Sequence, residues 1–98
     1  MTMNSALKIE FFKSKTCVIC PKVKKLLKKI LAENGLRYEE IVIERDISED
    51  PEALTDLLML NALSVPVVKI KDIVLYEQDA VKEERLREAI KKFLYQKS

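Results

Sequence analysis

Cys17 and Cys20 are the residues of this chain best suited to carry chemistry, and they are its only cysteines. Val18 and Ile19 separate them. At the start of a helix, one turn brings two such residues onto the same face, within the roughly 4.4–6.8 Å between Cα atoms that a disulfide requires. The first N–H groups of a helix lack internal partners and carry partial positive charge, which favours thiolate over thiol at Cys17. In Cys-X-X-Cys sites the thiol pKa falls well below the ordinary ~8.5. Cys20, further into the helix, is expected to be less exposed and less ionised. That asymmetry assigns roles: Cys17 attacks a partner disulfide, and Cys20 resolves the mixed disulfide and releases the reduced partner. Pro21 has no N–H to give, so it suits the first turn and pins the helix start beside the pair. Lys15, Lys22, Lys24 and Lys25 add positive potential nearby, with a small effect because most should face solvent and be screened.

Two plainer readings stand beside this one. The pair could be structural, although inert buried cysteines have no reason to sit three apart at a helix start. It could also be half of a zinc site. Structural zinc takes four Cys or His ligands, and this chain offers two Cys and no His, so only a homodimer sharing the metal would complete it. No metal and no other cofactor is therefore expected.

Ninety-eight residues allow one domain, taken as 1–98, and an apolar share of 48% is enough to build its core. No run approaches the ~20 apolar residues of a membrane helix. The segment Met1-Thr2-Met3-Asn4-Ser5-Ala6 lacks the basic and apolar regions of a secretory signal. A cytoplasmic location follows as the expectation, and there a close cysteine pair reads as redox-active or metal-binding. The net charge of +2 points to no particular partner. Lys22, Lys24, Lys25, Lys28 and Lys29 form a basic run without interleaved aromatics, which argues against nucleic-acid binding. Charged residues make up 35% of the chain and there is one glycine, a pattern that suits a thermophile surface as well as any solvated, helix-rich one.

Periodicity supplies the elements that must position the cysteines. Leu7–Phe12 reads as a strand. From Val18 to about Glu33, Val23, Leu26, Leu27, Ile30 and Leu31 form the stripe of an amphipathic helix, which Asn34-Gly35 ends. Tyr38–Ile43 reads as a strand with Ile41 and Ile43 on one face. Ser48-Glu49-Asp50-Pro51 is a helix start, followed by a helix with Leu54, Leu57 and Leu58 inward that frays near Asn61. Val65–Ile70 and Ile73–Tyr76 form an antiparallel hairpin around Lys71-Asp72, without the usual Asn-Gly or Asp-Gly turn. Gln78 or Asp79 opens a last helix with Leu86, Ala89, Ile90, Phe93 and Leu94 inward. The order is β-α-β-α-β-β-α, an α/β fold. Its first two strands are parallel through a right-handed crossover, and a mixed sheet of about four strands carries helices on both faces.

With these elements in place, the sequence resembles the thioredoxin/glutaredoxin superfamily, most closely small glutaredoxin-like or thioredoxin-like proteins of archaea and bacteria. Lys15-Thr16-Cys17-Val18-Ile19-Cys20-Pro21 between the first strand and a long helix, the segment order, and Ser64-Val65-Pro66 before the third strand carry the resemblance across nearly the whole chain. It implies a thioredoxin-like fold. It also implies a cis Pro66 beside Cys17, exposing the Val65 backbone so that a substrate strand can pair with it. Thr16, Val18, Ile19, Val65 and Pro66 are then the expected substrate contacts. Thioredoxins hold a buried acid on the first strand that exchanges protons with the second cysteine, and Glu10 is the candidate here. Its pKa would be raised if it points inward; otherwise it faces solvent or pairs with Lys8 or a helix lysine.

The departures are specific. Thr16 replaces the Trp of Trp-Cys-Gly-Pro-Cys, and Val18-Ile19 replaces Gly-Pro. The Gly-Gly of glutaredoxins has no counterpart in Tyr76-Glu77-Gln78-Asp79, which weighs against glutathione and for a thioredoxin-reductase-type electron donor. Asp79 has the plainer role of capping the last helix. The expected function is that of a monomeric oxidoreductase acting on protein disulfides. A dedicated electron donor to one reductase, such as ribonucleotide reductase, would share its chemistry. A redox-silent binding module working through the basic helix face is the remaining alternative.

Overall fold

The computed structural model describes residues 8–96; of the first expected strand, Leu7 lies outside them. Strands β1 (Ile9–Lys13), β2 (Val42–Asp46), β3 (Val67–Ile70) and β4 (Ile73–Leu75) form one mixed sheet in the order β2-β1-β3-β4. β1 pairs parallel with β2 and antiparallel with β3, and β3 pairs antiparallel with β4. Helix α1 (Cys20–Glu33) makes the crossover between β1 and β2. The chain has the α/β fold with a four-stranded mixed sheet that its segment order implies.

Side chains alternate along a strand, so β1 serves two cores. Ile9 and Phe11 join the larger one with Val23, Leu27, Ile30 and Leu31 of α1 and Leu86, Ile90 and Phe93 of α5 (Glu83–Gln96). Phe12 points the other way and meets Leu57 of α3 (Pro51–Met59), Ala62 and Val67. Gly35, at φ +73°, takes the left-handed conformation just past the end of α1. On the outer surface Arg87 bridges Glu33 and Glu83, tying α5 to α1.

Several expectations need correction, and the third strand begins at Val67 rather than Val65, after the cis Val65–Pro66 bond. Helix α1 starts at Cys20 rather than Val18, with Pro21 in its first turn, where the missing N–H costs nothing. Tyr38–Ile41 is a helical turn (α2), and β2 begins only at Val42. Burial of the Tyr38 ring, whose hydroxyl donates to Glu44 at 2.7 Å, holds that turn against the strand pattern. The shifted start puts Val42 in the core and leaves Ile43 46% exposed, since a one-residue change of register exchanges the faces of a strand.

In α3 the inward residues are Ala53 and Leu57, while Leu54 and Leu58 are exposed. The core beneath this helix is small, and Asp56 receives a 2.7 Å hydrogen bond from Arg45 that fixes its rotation. The C-terminal helical region is broken: a short α4 (Glu77–Ala80) precedes α5, with the fully buried Ala80 at the break. The stripe Leu86, Ala89, Ile90, Phe93 is buried as expected, with Leu94 packed at its margin. The hairpin forms without Asn or Gly because Lys71 itself adopts φ 56°.

Candidate functional site

The loop between β1 and α1 presents the two cysteines. Ser14 accepts the Cys17 amide at 3.2 Å, closing a turn over Lys15 and Thr16 that lifts Cys17 to the lip of the domain. Cys17 is half-buried and Cys20 is 3% exposed, packed into the larger core. Their sulfur atoms are joined as a disulfide, with the Cα atoms 5.5 Å apart. The amides of Val18, Ile19 and Cys20 make no backbone hydrogen bond among the described residues. Those donors lie at the positive end of α1, where a thiolate released by reduction would be stabilised.

The other expected site residues sort by position. Val18, between the cysteines, is 94% exposed, and Thr16 is exposed with its hydroxyl 3.3 Å from that of Ser14. Ile19 is half-buried as the N-cap of α1. The Val65–Pro66 peptide bond is cis; Pro66 is buried and Val65 packs at the margin of both cores. Leu63, just ahead of that segment, is 90% exposed.

Glu10 is placed elsewhere. It alternates with Phe11 on β1 and so faces the α3 side of the sheet, whereas Cys20 packs with Phe11 in the opposite core. There its carboxylate lies 3.6 Å from Arg45, which also bonds Asp56. The structure does not bring Glu10 and the cysteines together, and the ion pair is with a strand arginine rather than Lys8 or a helix lysine. Asp79 sits in the first turn of α4 and pairs loosely with Arg85 at 3.7 Å.

What the sequence reading missed is a charged cleft of about 340 Å³ opening on the disulfide, lined by Cys17, Cys20, Lys13, Lys15, Lys24 and Asp46 among others. Lys15 pairs with Glu49, and the Ser48 hydroxyl and amide bind Asp46, which lowers the Asp46 pKa. Lys13 and Lys24 both reach one carboxylate, Glu44, at 3.2 and 3.1 Å. Partial desolvation pushes the Glu44 pKa up. The hydrogen bonds from Tyr38, Lys24 and Lys13 prevail and hold it at about 2. Burial, aided by the bond to Glu44, pushes the Tyr38 hydroxyl far above its ordinary range. Lys22 and Lys25, by contrast, are exposed and do not line the cleft. No signal in the sequence near the cysteines points to Glu44, because its place depends on the pairing of β1 with β2, which sets Phe11 opposite Glu44.

Among the described residues, no three His, Cys, Asp or Glu side chains converge on a possible metal site. Nor is any helix among them long and apolar enough to cross a membrane.

Comparison with known proteins agrees with this geometry. The family described as Glutaredoxin-like domain (DUF836) matches residues 8–91. The crystal structure of the thioredoxin-like protein BC3987 is 25% identical, covering 84% of this chain and 99% of that one, with a TM-score of 0.61. A point mutant of the same protein gives 26% identity, 85% and 99% coverage and a TM-score of 0.64. The search of curated proteins returned no match. A glutaredoxin-like domain, thioredoxin-like neighbours and a cysteine pair at disulfide distance together fit a redox role. The chain belongs to the glutaredoxin-like domain family, within the thioredoxin/glutaredoxin superfamily.

Proposed function

We propose that this protein is a thiol–disulfide oxidoreductase that exchanges electrons with protein disulfides through Cys17 and Cys20. The observation that carries the reading is the inequality of the pair: a half-open Cys17 at the lip of the fold, and Cys20 behind it, 3% exposed. In the reducing direction, the Cys17 thiolate attacks one sulfur of the partner disulfide. A Cys17–partner bond forms, the partner's S–S bond breaks, and its other sulfur leaves as a thiolate that takes a proton from solvent. Cys20 then gives up its proton and attacks the Cys17 sulfur. The intramolecular disulfide closes, and the partner departs as a dithiol, reduced by two electrons. Buried Cys20 is protected from attacking partners directly yet lies within reach of Cys17.

Thr16, Val18, Ile19, Val65 and Pro66 form the substrate contacts in this reading. Exposed Val18 offers an apolar contact between the two cysteines, and in this reading the Val65 backbone, ahead of the cis Pro66 bond, receives the substrate strand. The glycine-free Tyr76–Asp79 stretch, which forms the start of α4, supports a thioredoxin-reductase-type electron donor over glutathione.

Reduction of a protein disulfide with dithiothreitol as electron source tests the proposal. The wild-type protein should accelerate it and Cys17→Ser should abolish the acceleration; full turnover by Cys17→Ser would overturn the reading.

A further inference from the structure

Glu44 does not itself line the disulfide cleft, yet it organises the charge there. Among the described residues, two of the three ammonium groups lining the disulfide cleft, Lys13 and Lys24, converge on its two carboxylate oxygens, and the Tyr38 hydroxyl fixes the second of these at 2.7 Å. The three donors come from β1, α1 and α2, so the carboxylate joins two elements that line the cleft to the helical turn of Tyr38. Lys24 is held further by the Tyr38 ring, whose centroid lies 5.6 Å from its ammonium. The remaining charges of the cleft are Lys15, paired with Glu49, and Asp46, held by Ser48. No charged side chain of α5 or of the Val65-Pro66 segment lines it.

We propose that Glu44 is a positioning residue for the thiol chemistry, acting through Lys13 and Lys24: its carboxylate offsets part of their charge, thereby setting how strongly they stabilise a thiolate at the cysteine pair. The proposal rests on the redox reading above. It differs from a simple basic environment in the sign it assigns to each residue. A cation beside the cysteines favours thiolate, so losing Lys24 raises the Cys17 pKa. Losing the Glu44 charge leaves the cations uncompensated and lowers it. Charges at such partly screened range shift a pKa by about half a unit. A more stabilised thiolate also makes the dithiol–disulfide couple more oxidising.

The test is the pH titration of the Cys17 thiolate in the reduced protein, read by its ultraviolet absorbance and by the pH dependence of iodoacetamide alkylation. Glu44→Gln should shift the pKa down by about half a unit and Lys24→Gln up by a similar amount. The double variant should return close to wild type, and Glu44→Asp should largely restore the wild-type curve. All shifts should shrink as salt rises to about 1 M. A general loosening of the fold would move both single variants in the same direction, and that result, or no shift in either at low salt, would overturn the proposal. If Glu44→Gln fails to fold, Lys13→Gln and Lys24→Gln must still each raise the pKa. The titration needs no turnover, so absence of disulfide reduction by the wild-type protein would end the oxidoreductase reading independently of this result.

Discussion

Phe11 and Phe12 are consecutive on β1 and lie in different cores, Phe11 with α1 and α5 and Phe12 with α3. That single alternation decides which residues can serve the cysteines. Cys20 and, through the β1–β2 register, Glu44 belong to the Phe11 side, while Glu10 and Arg45 belong to the Phe12 side.

A first prediction follows for Glu10. Removing its charge with Glu10→Gln disturbs a 3.6 Å ion pair whose carboxylate is one-third exposed. Such pairs contribute at most about 1 kcal/mol. The rate of disulfide reduction and the thiol titration should match wild type, and a loss of turnover beyond about tenfold, or ~1.4 kcal/mol in the barrier, would return Glu10 to the site.

Acid should weaken the fold through Glu44. Its pKa lies at about 2 against an ordinary 4.5, so its stabilising contribution is present above pH 4.5 and is lost as pH falls toward 2. With allowance for solvent screening this amounts to about 1 kcal/mol. Urea unfolding at a series of pH values should show a steeper acid loss for wild type than for Glu44→Gln.

The junction between β2 and α3 depends on Asp50, which caps α3 by accepting the Glu52 amide at 3.0 Å. Asp50→Ala should cost about 1 kcal/mol in chemical denaturation without altering the thiol titration.

Under the cysteines, Leu27 is fully buried in the larger core. Leu27→Ala should destabilise by about 2–5 kcal/mol, measured by urea unfolding of the oxidised protein.

The sequence made the cysteine site legible because its signals are local. Cys17-Val18-Ile19-Cys20-Pro21 and the stripe Val23, Leu27, Ile30, Leu31 fall within one helix and the loop before it. Ser48 to Pro51 likewise announces α3 through its own cap. The misplacements arise where the outcome depends on distant partners. Tyr38 leaves the strand pattern because its hydroxyl has Glu44 to bind. Leu54 and Leu58 stay outside because α3 covers only a small patch around Phe12. The Lys13–Glu44 contact joins residues 31 apart in the chain, and only the parallel pairing of β1 and β2 creates it. Glu10 has the residue type for a proton shuttle, but the alternation of β1 aims it at Arg45.

Trapping of a mixed disulfide tests the central claim most directly. Cys20→Ser, reduced and mixed with a disulfide-containing protein, should accumulate a covalent complex that mass spectrometry of peptides assigns to Cys17 and that dithiothreitol releases. Cys17→Ser, which retains only a thiol 3% exposed in the native fold, should form none at a comparable rate. Equal trapping by both variants, or trapping through Cys20 alone, would contradict the assignment of Cys17 as the attacking group.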